Sequence, residues 1–170
     1  MNKNTVADDK HSRPATLIVG LGNPLRGDDG IGPRVVEELL QRELPDNVEV
    51  VDGGSGGLDL LQLLENREQA VVIDAARMGR DPGQFTRFTP EEVHLSPRSF
   101  SPHHASLVEV MTLAHALGLS LPQIIVFGVQ PAKMDWGEGL SPNVENALPE
   151  LVDAILQEIR DTLPEGGYNV

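Results

Sequence analysis

Short apolar runs and amphipathic stretches alternate along the chain, punctuated by glycine, proline and aspartate. "TLIVGLG" (16–22) has the length and composition of a buried strand and ends in glycines. "GPRVVEELLQREL" (32–44) places Val35, Val36, Leu39 and Leu40 on one stripe. That spacing predicts a helix with Pro33 in its first turn and Asp28 or Asp29 as its cap. "VEVVDGG" reads as a second strand and "GLDLLQLLENR" as a second helix. "AVVIDAA" is a third strand, apolar enough for both of its faces to be covered. "GQFTRF" follows "RDPG" too closely for a helical crossover, so it is expected as an antiparallel edge strand. After a polar loop, "SPHHASLVEVMTLAHALG" predicts a helix capped by Ser101, with Pro102 in its first turn. "QIIVFGVQP" is the last strand. "SPNVENALPELVDAILQEIRDTL" is the last helix, expected to kink or shift near Pro149.

This alternation predicts an α/β fold: a three-layer α/β/α sandwich around a mostly parallel five-stranded sheet with one antiparallel edge strand. No repeat or linker divides it. One domain is expected over 16–163, with polar tails at 1–15 and 164–170. Ligands of such sheets bind just beyond the carboxyl ends of the strands. The rule points at Asn23–Gly30, Asp52–Gly57, Asp74–Gly79 and Gln130–Gly139. The segment 89–102 spans roughly 40 Å at about 3.3 Å per residue, enough to bring His103 back to the same end.

Charge narrows the partners. Twenty-six acidic side chains against 13 basic ones give a formal net charge of −13. Such a surface repels nucleic-acid backbones, so no nucleic acid is expected. A basic partner segment suits it better, the more so because Arg160 is the one basic residue from Met134 onward. The absence of cysteine excludes disulfides, thiolate catalysis and cysteine-ligated metals. No apolar run approaches bilayer-spanning length, and the first fifteen residues lack the apolar centre of a secretory signal. The expectation is a cytoplasmic monomer with no membrane association.

The chemistry admits several readings. Gly20, Gly22 and Gly27 approximate a dinucleotide fingerprint, but Asn23-Pro24 intrudes and Asp28-Asp29 would repel a pyrophosphate. "GGSGG" satisfies G-x-S-x-G, and Asp74 and His103 follow Ser55 in hydrolase order; the ordinary alternative is a flexible loop whose serine caps a helix. "LIVGLGNP" resembles the opening of the peptidyl-tRNA hydrolases, yet "LRGDDGIG" stands where that family carries its catalytic histidine. A metal reading joins Asp29, Asp74 and His103. Two carboxylates and one imidazole suit nickel or zinc and leave a coordination position open. Each also has a plain structural reading, as helix cap, strand-end turn former and surface residue.

Five motifs in order decide among these. "GLGNPLRGDDGIG", "VDGGSGGLDLL", "VVIDAARMGRDPG", "SPHHASL" and "FGVQP" followed by "GLSP" resemble the hydrogenase maturation endopeptidases, over roughly 17–156. The resemblance implies an endopeptidase that removes the C-terminal extension of a nickel–iron hydrogenase large-subunit precursor once nickel is inserted. It places the family's three metal-approaching residues, also its catalytic set, on Asp29, Asp74 and His103. The metal implied is nickel carried by the substrate, with zinc or cadmium able to substitute in the isolated protein. Many members carry glutamate at the position of Asp29; that methylene changes reach by about an ångström and leaves Asp28 as the alternative donor. His104 is the corresponding alternative to His103. Asn23, Gly53, Gly54 and Ser55 are expected to contact an extended peptide. A serine hydrolase using Ser55, Asp74 and His103, or a non-enzymatic nickel-binding maturation factor, are the competing readings.

Overall fold

The computed structural model describes residues 13–94 and 104–162. Its strands are β1 (Thr16–Gly20), β2 (Val48–Asp52), β3 (Gln69–Ala75), β4 (Phe85–Phe88) and β5 (Gln123–Val129). They form one sheet in the order β2-β1-β3-β5-β4. β1, β2, β3 and β5 run parallel, and β4 pairs antiparallel with β5 at the edge. The helices are α1 (Ile31–Leu39), α2 (Leu58–Leu64), α3 (Pro90–His94), α4 (His104–Ala116) and α5 (Pro142–Thr162). This is the five-stranded sandwich expected from the apolar pattern.

Period-two alternation splits the core into two layers. Ile18, Val71, Ile73, Ile125 and Phe127 face α1 and α5, whose Val35, Leu39, Leu151 and Ile155 cover them. Leu17, Val19, Val72 and Val126 face the other way, against Leu60 and Leu64 of α2 and Leu107 and Val110 of α4. β3, central in the sheet, is buried at all seven positions. Each fully buried aliphatic side chain contributes about 1.5–3 kcal/mol, so this strand anchors the domain.

Two local expectations are corrected. Neither Asp28 nor Asp29 caps α1; Gly30 is its N-cap, without a side-chain hydrogen bond. Both aspartates lie in a preceding 3-10 turn, Gly27–Gly30, with their side chains directed to other partners. The loop expected after β4 begins instead with α3. There Thr89 precedes Pro90, and the Glu92 carboxylate accepts the Thr89 N–H at 2.6 Å, half of a capping box that the sequence "TPEE" contains. α5 includes Pro149 within one 21-residue helical span. Pro149 sits on the exposed side, where water can take over the Glu145 carbonyl that loses its intrahelical donor. The expected Ser101 cap lies outside the described residues.

Candidate active site

The order β2-β1-β3-β5-β4 creates a crevice between β1 and β3. From β1 the chain leaves toward β2 on one side, and from β3 toward β4 and β5 on the other. Loops therefore part at the carboxyl ends of these two strands, the place where open α/β sheets bind ligands. Both predicted carboxylates of the site are here.

Asp74 is the sixth residue of β3. Gly20, the last residue of β1, pairs with Ile73, so Asp74 is the first β3 position past the end of β1. It continues the series Ala70 and Val72, which belongs to the layer under α2 and α4. Its exposure is 3%. Asp29 reaches the same region from the 3-10 turn, which packs against β3, and is 1% exposed. One of its carboxylate oxygens accepts the Asn23 N–H at 3.0 Å. Asn23 in turn accepts the Leu25 N–H on its side-chain oxygen at 2.9 Å, which fixes the loop by an Asx turn.

Glycine makes this folding-back possible. Gly22 has φ +133°, and a Cβ there would lie 1.8 Å from the Asp29 carbonyl oxygen. A Cβ at Gly32 would lie 2.2 Å from the Leu21 carbonyl oxygen. Gly22, one of the glycines that mimic a dinucleotide fingerprint, and Gly32 thus serve close backbone approach, which sets the aspartate-bearing turn directly on the end of β1.

Asp28, the alternative donor, has a different task. It is 1% exposed, and its carboxylate accepts four hydrogen bonds from the loop between β5 and α5. The donors are the N–H groups of Ala132 (2.8 Å), Lys133 (2.9 Å) and Ser141 (2.6 Å) and the Ser141 hydroxyl (2.9 Å). Two backbone bonds between the same loops, Gly27 N–H to the Gly137 carbonyl and Gly137 N–H to the Leu25 carbonyl, run parallel to this clamp. Both oxygens are so engaged that Asp28 acts as a structural carboxylate joining the two loops.

The glycine loop after β2 completes the rim. The Gly22 N–H donates to the Gly54 carbonyl at 2.7 Å, and the Gly53 N–H to the Gly20 carbonyl at 2.9 Å. Ser55 is exposed on this loop, whereas Asp74 is buried. Opposite, the Gln130 side chain accepts the Met78 N–H at 2.7 Å and ties the loop after β3 to the end of β5. Asn23, Gly53, Gly54 and Ser55 thus all lie on loops at the same sheet end as Asp29 and Asp74. His103 lies outside the described residues. The next residue, His104, opens α4, which covers the layer that includes the Asp74 side of β3. Among the described residues no three metal-binding side chains converge. What the sequence did not single out is the Asp28 clamp. Its signal was present only as two adjacent aspartates, one more than a cap requires.

On the α1 side of the same loop, Arg34 donates to Glu38 at 2.7 Å and lies 3.5 Å from Glu145. The hydrogen bond to Glu38, before the neighbouring charges, raises the guanidinium above its ordinary range.

A family model described as hydrogenase maturation protease matches residues 33–158. The hydrogenase 2 maturation protease of Escherichia coli is 34% identical over 149 residues, covering 86% of this chain and 91% of that one. The hydrogenase expression/formation protein HupD of Bradyrhizobium diazoefficiens is also 34% identical, over 85% of this chain and 78% of its own. Among solved structures, the hydrogenase-maturating endopeptidase HybD of E. coli superposes with a TM-score of 0.76 at 34% identity, over 86% of this chain and 93% of that one. The [NiFe] hydrogenase maturation protease HybD of Thermococcus kodakarensis gives 0.72 at 26% identity, over 84% and 97%. Sheet order, the carboxylates at the switch point and these likenesses agree: the chain belongs to the hydrogenase maturation protease family.

Proposed function

We propose that this protein is the endopeptidase that removes the C-terminal extension of a nickel–iron hydrogenase large-subunit precursor after nickel insertion. The observation that carries the reading is the placement of Asp29, on the 3-10 turn after β1, and Asp74, at the end of β3: two buried carboxylates at the same sheet end of a maturation-protease fold. In this reading Asp29, Asp74 and His103 approach the nickel held by the precursor, and Asn23 and the Gly53–Ser55 backbone receive the extended tail. Two anionic donors and a neutral imidazole suit an exposed divalent cation, and three protein ligands leave room for groups from the substrate.

The metal belongs to the substrate and acts as an anchor. Once seated between the carboxylates it fixes the scissile bond against the enzyme, and such orientation is worth up to about 7–11 kcal/mol of barrier. Loop rigidity matters for the same reason, because a displaced carboxylate forfeits that alignment. Ser55 offers no comparable case as a nucleophile, being exposed on a glycine loop.

One precursor preparation, divided into nickel-loaded and nickel-free halves, tests the gate. Loss of the tail, read by mass, is expected only in the loaded half. Nickel added to the peptidase alone should not rescue the other. Equal cleavage of both halves would leave an ordinary tail-trimming protease and remove the recognition role from the three residues.

A further inference from the structure

A second concave feature abuts the loop that carries Asp29. It is a cleft of about 370 Å³ between that loop, the first turns of α1 and the segment 138–145. The volume holds one or two side chains, not a whole element. Leu25, Pro33 and Leu140 give it an apolar lining, and Glu37, Glu138 and Glu145 supply acids. Arg34 is the one cation lining it, and Glu38 and Glu145 already occupy that guanidinium. Arg34 also lies 3.8 Å from Glu37, so one guanidinium is shared by Glu37 and Glu145, and with Glu138 the lining keeps more acids than cations.

Leu25, which lines the cleft, is 49% exposed, and Trp136, two positions before the lining Glu138, is 76% exposed. Tryptophan is over-represented among the residues that dominate protein interfaces. Trp136 is also held in place. The Arg26 guanidinium lies 5.8 Å from its ring centroid, and the Asp28 clamp fixes its loop to the Asp29 loop.

We propose that this cleft docks a segment of the precursor in which a lysine or arginine adjoins an apolar side chain. The inference rests on the function proposed above and adds the chemistry of the docked segment. The apolar group enters between Leu25 and Leu140 and the cation meets Glu138, Glu37 and Glu145. Because the cleft and the carboxylates share the loop 23–30 as a wall, a segment seated here is led toward the crevice. A second copy of this chain is the poorer occupant, since each copy carries a formal charge of −13.

Trp136 is the only tryptophan and stands two positions before the lining Glu138, so its fluorescence reports changes at this edge of the cleft. The full-length protein is titrated with a twelve-residue synthetic peptide centred on Leu-Arg-Leu and with its Leu-Glu-Leu counterpart. A saturable change is expected with the first, at least tenfold tighter than with the second. Glu138→Lys should weaken it tenfold, Glu37→Lys should act in the same direction, and Asp29→Asn should leave it within twofold. Equal response to both peptides, or unchanged binding in both lysine variants with parental urea midpoints, overturns the proposal. So does a fluorescence change that tracks self-association in sedimentation. Precursor cleavage is scored separately. Peptide binding without cleavage sinks the assigned reaction and spares the cleft, whereas cleavage with charge-indifferent peptide binding does the reverse.

Discussion

Adjacent aspartates with similar burial carry different work. Asp28 accepts four hydrogen bonds from residues more than a hundred positions away, whereas the Asn23 N–H that Asp29 accepts comes from within its own loop. Replacing Asp28 by alanine strands four donors of a buried loop. A loss of about 2–4 kcal/mol in urea unfolding is expected, with Asp28→Asn milder because its amide oxygen still accepts. Asp29 and Asp74 answer to a different assay. Asp74→Ala and His103→Ala should each weaken nickel binding at least tenfold by calorimetry and abolish processing, while His104→Ala stays within threefold of the parent. Parental affinity in the first two would remove them from the site.

At the scale of elements, the turn from β1 into α1 depends on absent side chains. Gly22→Ala combines a strained φ of +133° with a backbone overlap at Asp29. A cost of about 2–4 kcal/mol is expected, seen as a lower urea midpoint with unchanged m-value. The displaced turn should also reduce processing more than the stability loss explains, because it moves Asp29. α5 offers the opposite case. Pro149→Ala restores a donor to the Glu145 carbonyl on an exposed face. It should stabilise the protein by about 1–2 kcal/mol, since the helical gain exceeds the entropy the unfolded chain recovers. A drop in stability would mean that the proline is needed for the packing of Leu148 and Leu151.

The whole molecule presents an acidic surface to its partner. Precursor binding should weaken as salt rises from about 0.05 to 0.5 M, mainly through a slower association rate, because exposed charges are screened beyond a Debye length of about 10 Å at 0.1 M. Salt-independent association would remove charge from the account of recognition. Whole-molecule comparison also bears on Ser55. Removing one hydroxyl from an exposed glycine loop should cost less than about tenfold in processing, whereas removing a nucleophilic serine costs about a millionfold. Complete loss in Ser55→Ala would restore the serine-hydrolase alternative.

Local pattern alone determined the elements. Apolar runs of strand length, one-sided helical stripes and the short "RDPG" connection gave five strands, four of the five helices and the antiparallel edge, because those signals lie within a few residues of one another. α3 was legible too, in the "TPEE" that the polar-loop reading passed over. The five motifs named the family and singled out Asp29, Asp74 and His103. The division of labour between Asp28 and Asp29 required the tertiary structure, since the partners of Asp28 sit 104 to 113 positions along the chain. Helix capping was misjudged for the same reason. A carboxylate beside a helix start goes to whichever donors the fold brings nearest, and here those were the amides of the loop after β5. The meaning of Gly22 and Gly32 was likewise decided by what packs against them. A glycine in the sequence marks a position without a side chain, and only the folded backbone shows what occupies that space.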